Sequence, residues 1–205
     1  MRAYKEILTD EQKKFLLLVG KFAKDFGLVG GTAIALNIGH RRSIDFDLFS
    51  LKEFDNYQIK RKISKNYKIE STINDEEGQY TVLIRGVRFT FLYYPYKISF
   101  SEKFNNVIKL PNLLTLATMK AFALSRRANW KDYVDLYFIM KDYFSLNEIS
   151  KQGGKIFGKE FNEKIFRESL AYFKDINYGE KVIFMPGFEV SDTIIKKRLT
   201  KISLS

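Results

Sequence analysis

Leu28-Val29-Gly30-Gly31-Thr32-Ala33-Ile34-Ala35-Leu36-Asn37-Ile38-Gly39-His40-Arg41-Arg42-Ser43-Ile44-Asp45-Phe46-Asp47-Leu48-Phe49 is the stretch that decides how this chain is read. Leu28-Val29 is a short apolar strand that runs into two glycines. Glycine lets the backbone come close to a ligand, and the helix expected over Thr32 to Ile38 offers its first N–H groups to phosphate oxygens. Ile44 to Phe49 alternates apolar and acidic residues, the period of a strand. Asp45 and Asp47, two apart, therefore share one face, while Phe46 points to the other, toward a core. Two neighbouring carboxylates repel each other, and a fold tolerates them best with a cation between them. Taken singly, a Gly-Gly is most often a turn and Asp-Phe-Asp a solvated strand face. Together they make a plausible site for a nucleoside triphosphate and its metal ion.

Outward from this stretch the elements follow from pattern. Thr9-Asp10-Glu11-Gln12 reads as a capping box, and Phe15, Leu18, Val19, Phe22 and Phe26 recur at helical spacing up to Gly27. Leu51 to Ser64 is expected to be helical and Tyr67 to Ile73 a strand, followed by an acidic turn at Asn74-Asp75-Glu76-Glu77-Gly78. Tyr80 to Ile84 and Val87 to Tyr93 are β-branched and aromatic runs around Arg85-Gly86, a two-residue hairpin turn. Beyond Pro111 helical patterns take over, over Asn112 to Ser125, Trp130 to Tyr143, Leu146 to Phe157, Phe161 to Phe173 and Ser191 to Ile202. The reading is an α+β chain: a mixed sheet with flanking helices over residues 1–108, then a helical region over 109–205.

Composition narrows the function classes. The 205 residues include no cysteine, which excludes disulfides and thiolate metal sites, and the single histidine, His40, leaves no histidine cluster or Ser/His triad. Aromatic residues at 16% argue against disorder. The formal charge is +11, and the excess is spread over both halves rather than held in a tail. It suits polyanions such as RNA or nucleoside triphosphates, but a generally lysine-rich composition accounts for it equally well. Lys60-Arg61-Lys62 and Lys196-Lys197-Arg198 are solvated helix faces by default, with RNA contact the alternative. Met1 to Asp10 shows no apolar leader, and the apolar stretch at Phe15 to Val19 is far short of the ~20 residues of a membrane span. A cytoplasmic protein without a membrane partner is expected.

Gly30-Gly31, then thirteen residues, then Asp-hydrophobic-Asp-hydrophobic resembles the signature of the polymerase-β-like nucleotidyltransferase superfamily. With His40-Arg41, Ser43 and the block Lys120-Ala121-Phe122-Ala123-Leu124-Ser125-Arg126-Arg127-Ala128-Asn129-Trp130-Lys131-Asp132-Tyr133-Val134-Asp135-Leu136, the chain is similar to the AbiEii/AbiGii toxin family, over about Thr9 to Met140. The resemblance implies an enzyme that moves a nucleoside monophosphate from an NTP to a hydroxyl of RNA, tRNA or protein. Its biological role would be the toxin of a type IV toxin–antitoxin or abortive-infection system, with a cognate antitoxin as partner. Small-molecule (antibiotic) nucleotidyl transfer, or nucleotide or RNA binding without catalysis, are the alternatives. Carried over residue by residue, Gly30, Gly31 and Thr32 match the phosphate-contacting turn, with Arg41 and Ser43 as further nucleotide contacts. Asp45 and Asp47 match the carboxylates that hold Mg²⁺ or Mn²⁺. Lys120 matches a lysine that neutralises triphosphate charge, and Asp132 an aspartate acting as base or orienter, with Asp135 left to a structural part. Lys120 and Asp132 would lie ~18 Å apart on one continuous helix, so they can meet only if it breaks, for which Ala128-Asn129, with Asn129 as N-cap, is suited. The superfamily's third carboxylate is missing: the strand that should carry it has Thr90 at the place to look.

Overall fold

The computed structural model describes residues 3–205. Its described residues divide into two compact units, one made of residues 3–37 and 43–112 and the other of residues 38–42 and 113–205.

In the first unit, helix α1 (Asp10–Gly20) opens with the reciprocal capping box of Thr9 and Gln12. Strand β1 (Gly27–Val29) leads directly into α2 (Gly30–Ile38), then β2 (Phe46–Ser50) and α3 (Asn56–Ser64), capped by Asp55. The strands β3 (Ser71–Glu76), β4 (Gln79–Ile84) and β5 (Val87–Tyr93) complete a five-stranded mixed sheet in the order β1-β2-β5-β4-β3. Only the β2–β5 pairing is parallel. One sheet face is apolar: Phe46 and Leu48 of β2, Tyr80, Val82 and Ile84 of β4, and Phe89 and Phe91 of β5 are all buried. The phenyl rings of α1 and the turn after it seal this face, with Phe15 edge-on to Phe89 at 5.2 Å and Phe22 against Phe91 at 4.7 Å. The alternating residues, Asp47, Arg88 and Thr90 among them, face the other way and are half-buried. Strands β6 (Glu102–Phe104) and β7 (Ile108–Leu110) form a separate two-stranded ribbon.

Three expectations are corrected. The first helix ends at Gly20, and turns carry Phe22 and Phe26 into the core. The α3 helix starts at Asn56, where the Asp55 side chain caps the Tyr57 N–H, and not at Leu51. Asn74, Asp75 and Glu76 are strand, not turn: β3 lies at the sheet edge with both faces largely exposed, so it shows no apolar alternation. Asn56 holds this hairpin end by donating to the Asp75 carboxylate and to the Glu76 and Gln79 carbonyls.

In the second unit, α4 (Leu113–Leu124) is apolar around its whole circumference and is packed against α5 (Trp130–Asp142), α6 (Leu146–Phe157) and α7 (Glu163–Ala171). Helix α8 (Asp192–Ser203) lies on α5 and α7. The segment His40–Arg42 belongs to this unit, clamped in a short antiparallel ladder: the Met185 N–H donates to the His40 carbonyl at 3.0 Å and the Arg42 N–H to the Ile183 carbonyl at 2.8 Å. Among the described residues no helix is long and apolar enough to cross a membrane.

Candidate active site

In the first unit the site is built around the β1–α2 turn. Gly30 has φ +69°, left-handed backbone that a side chain disfavours, and it stands beside Asp47 across the β1–β2 ladder. A Cβ placed on Gly30 would lie 2.1 Å from the Asp47 Oδ2. The glycine thus leaves the space that the Asp47 carboxylate occupies. Gly31 follows as the second residue of α2, half-buried, where a helix start leaves N–H groups without intrahelical partners. Substituting Gly30→Ala is expected to cost at least about 1 kcal/mol from the left-handed backbone alone. It should also displace Asp47, and a urea unfolding midpoint lower than that of wild type is the check.

Thr32 and Ser43 do other work than the sequence suggests. Both are buried, their hydroxyls are hydrogen-bonded to each other at 2.9 Å, and the Thr32 hydroxyl also donates to the Asp45 carbonyl. They fix the backbone from which Asp45 projects. Asp45 itself precedes β2 by one residue, and its carboxylate accepts from Arg88 Nη2 at 2.5 Å. Asp47 is level with Val29 on one side and Thr90 on the other. The strand neighbouring the acidic pair carries a cation and a hydroxyl where the resemblance implies a third acid. Among the described residues no three His, Cys, Asp or Glu side chains converge. Two carboxylates still fit Mg²⁺ when a nucleotide supplies the remaining ligands, because that ion is commonly held by one or two carboxylates plus substrate phosphates.

In the second unit a buried charge network surrounds Asp135. Its Oδ1 accepts from Arg41 Nε at 2.7 Å and contacts His40 Nε2 at 2.8 Å, and its Oδ2 accepts from Arg41 Nη2 at 2.8 Å. Lys120 Nζ is 3.3 Å from the same Oδ2 and 2.7 Å from Asp132 Oδ1, while Arg127 Nε reaches Asp132 Oδ2 at 3.1 Å. The helix does break between Lys120 and Asp132: α4 ends at Leu124, and the Asn129 side chain caps α5 by accepting from the Lys131 N–H. Arg41, expected at the nucleotide, is 1% exposed, with its guanidinium committed to Asp135 and to the Arg42 carbonyl.

The electrostatics follow from burial and pairing. For Asp135, burial alone would raise the pKa, but Arg41 and Lys120 outweigh it and hold the carboxyl well below its usual range. Burial likewise opposes the charge of Lys120, and the Asp132 and Asp135 carboxylates more than compensate, so its pKa is raised and the amine stays a cation. His40 is the reverse: burial dominates its hydrogen bond to Asp135, lowering its pKa and keeping the ring neutral near pH 7. Nε2–H then donates to Asp135, and Nδ1 has no hydrogen-bond partner among the described residues. With His40 neutral, the buried Arg41 and Lys120 balance Asp132 and Asp135, and the exposed Arg127 on Asp132 adds one positive charge. One member of the first unit's site, Arg88, has no signal in the sequence, and in the second unit nothing in the sequence points to Arg41 as the partner of Asp135. Arg88 lies 43 residues from Asp45, and Asp135 lies 94 from Arg41, so no local pattern links either pair.

No protein-family model matches the chain. The uncharacterized protein aq_aa25 of Aquifex aeolicus (strain VF5) is 31% identical over 180 residues, which cover 85% of this chain and 86% of that one. The chain belongs to the family of aq_aa25. Solved structures extend the likeness in fold alone. MenT4, a nucleotidyltransferase toxin of Mycobacterium tuberculosis H37Rv, superposes with a TM-score of 0.62 at 13% identity, covering 95% of this chain and 81% of that one. A Helicobacter pylori protein assigned as a nucleotidyltransferase gives 0.59 at 15% identity, with 95% and 92% covered. JHP933, also from Helicobacter pylori, gives 0.57 at 16% identity, with 96% and 92% covered. The fold of this aq_aa25 family member is the nucleotidyltransferase fold.

Proposed function

We propose that the chain is a metal-dependent nucleotidyltransferase. The observation that carries this reading is the seating of the Asp47 carboxylate against Gly30 at the start of α2, with Asp45 two residues earlier, in a nucleotidyltransferase fold. Asp45 and Asp47 would hold Mg²⁺ or Mn²⁺ together with the phosphates of an NTP. Such an ion, when bound, offsets charge on the phosphates and on the departing oxygen. Gly31, at the head of α2, offers its backbone N–H to phosphate oxygens. Thr32 and Ser43 act indirectly, by holding the Asp45 main chain.

In the proposed reaction an acceptor hydroxyl oxygen bonds to the α-phosphorus, the α–β bridging P–O bond breaks, and pyrophosphate leaves with that electron pair. The hydroxyl proton passes to solvent. For the second unit the proposal assigns charge: the net positive cluster around Lys120 suits a polyanion, with Asp132, both of whose oxygens meet cations, as the orienter of Lys120 rather than a base. The acceptor is proposed to be RNA, tRNA among them, or a protein hydroxyl. The biological role is proposed to be that of a growth-arresting toxin held by an antitoxin, supported by the resemblance at His40 to Asp47 and by the fold shared with MenT4.

One observation favours a second reading, a nucleotide-binding module without catalysis: Arg88 rather than an acid adjoins the pair. Calorimetry tests the metal site that both readings share, and transfer of label from an NTP separates catalysis from binding alone. NTP binding is expected to strengthen at least tenfold on adding Mg²⁺ and to lose that gain in Asp45→Asn. Equal affinity with and without Mg²⁺ would exclude the metal site.

A further inference from the structure

Arg88 is the least expected member of the first unit's site. Phe46 pairs with Phe89 in the parallel β2–β5 register, and Asp47 pairs with Thr90, so Arg88 stands level with Asp45 on the neighbouring strand. Its guanidinium meets the Asp45 carboxylate at 2.5 Å, with the two side chains 40% and 18% exposed. A metal ion and a guanidinium beside the same carboxylate repel each other, so each weakens the other's hold on it.

We infer that Arg88 is a built-in counter-ion that keeps Asp45 from binding free metal and limits the site to one ion, admitted together with the nucleotide. This rests on the reading of Asp45 and Asp47 as the metal pair. Without Arg88 two adjacent carboxylates would present a charge of −2, attractive to any divalent cation. With it the three side chains sum to −1, and a free ion meets the positive charge of the guanidinium beside Asp45. A metal–nucleotide complex changes that balance. It brings phosphate oxygens on which the released guanidinium can form a bidentate contact, so the lost pairing is replaced. The side chain is long and partly exposed, and its head can move without disturbing the Phe89 and Phe91 face. By linkage, the nucleotide then tightens the metal as much as the metal tightens the nucleotide. A third acid at this level would instead collect a second ion, so Arg88 and the absent acid are two aspects of one device.

The test is a Mn²⁺ titration followed by the electron paramagnetic resonance of the free ion, with and without a non-hydrolysable α,β-methylene NTP. Wild-type protein, Arg88→Gln, Arg88→Ala, Arg88→Lys, Asp45→Asn and Asp47→Asn are compared, each checked by thermal unfolding. Wild type and Arg88→Lys are expected to bind Mn²⁺ weakly alone, and one ion per chain with the analogue. Arg88→Gln and Arg88→Ala are expected to bind Mn²⁺ alone about tenfold more tightly, the change that loss of one adjacent like charge brings. Unchanged Mn²⁺ affinity in both neutral variants, or two ions per wild-type chain with the analogue, would overturn the role of Arg88. Undiminished Mn²⁺–analogue binding in Asp45→Asn and Asp47→Asn would overturn the metal site itself, and this role with it.

Discussion

Asp135→Asn is expected to destabilise the protein by about 3–5 kcal/mol, the usual cost of removing one partner from a buried ion network. Asp135 is fully buried and binds Arg41 through two parallel hydrogen bonds, His40 through a third, and Lys120 at 3.3 Å. An amide in its place keeps one acceptor but leaves Arg41 and part of the Lys120 charge uncompensated away from water. The same network makes the fold sensitive to acid. Asp135 is held below its usual range, so its contribution is complete above the unfolded value near ~3.9 and lost as pH falls through the lower folded value. His40 has a folded pKa below ~6.5, so the unfolded chain takes up its proton first and stability declines from about that pH downward. Both effects have one sign. Urea unfolding between about pH 7 and 4 should show falling stability, and His40→Gln should flatten the upper part of that slope. Stability of Asp135→Asn within about 1 kcal/mol of wild type would show that the network is not the anchor described.

Asp47→Asn carries the second large effect, on activity rather than on folding. Asp47 is half-buried, lies between Val29 and Thr90 on neighbouring strands, and fills the space over Gly30. Asparagine keeps the shape and removes the charge that would hold a metal ion. Nucleotide transfer is therefore expected to fall on the order of a hundred- to a thousandfold, comparable to losing a preorganised electrostatic group at a reacting centre. The urea midpoint should stay close to that of wild type, because the substitution also relieves repulsion between two adjacent acids.

What could be read from the sequence was local. Gly30, Asp45 and Asp47 lie within eighteen residues of one another, and strand alternation alone predicts their shared face. Lys120 and Asp132 were linked by the resemblance, and Asn129 is a recognisable cap that lets the helix break between them. The five-stranded sheet was legible wherever one face of a strand is buried. It was misread at β3, an exposed edge whose acidic residues resemble a turn, and missed at β6 and β7, whose three residues each are too few to show a period. The functions of Thr32, Ser43 and Arg41 shifted for a related reason. Motif position suggested ligand contact, but burial and hydrogen bonding assign these side chains to holding the main chain or to Asp135. Arg88, and the pairing of Asp135 with Arg41, were beyond linear reading, since sheet register and the Arg41–Phe184 bridge bring these partners together.

The most direct measurement is transfer of label from an α-³²P-labelled NTP mixture into macromolecules, using total RNA and a protein fraction as separate acceptors, with Mg²⁺ present or chelated. Wild-type protein is expected to label an acceptor only with Mg²⁺, and Asp47→Asn to leave it unlabelled. Label incorporated equally by Asp47→Asn, or by neither protein although wild type binds the metal–nucleotide complex, would contradict nucleotidyl transfer at the Asp45/Asp47 site.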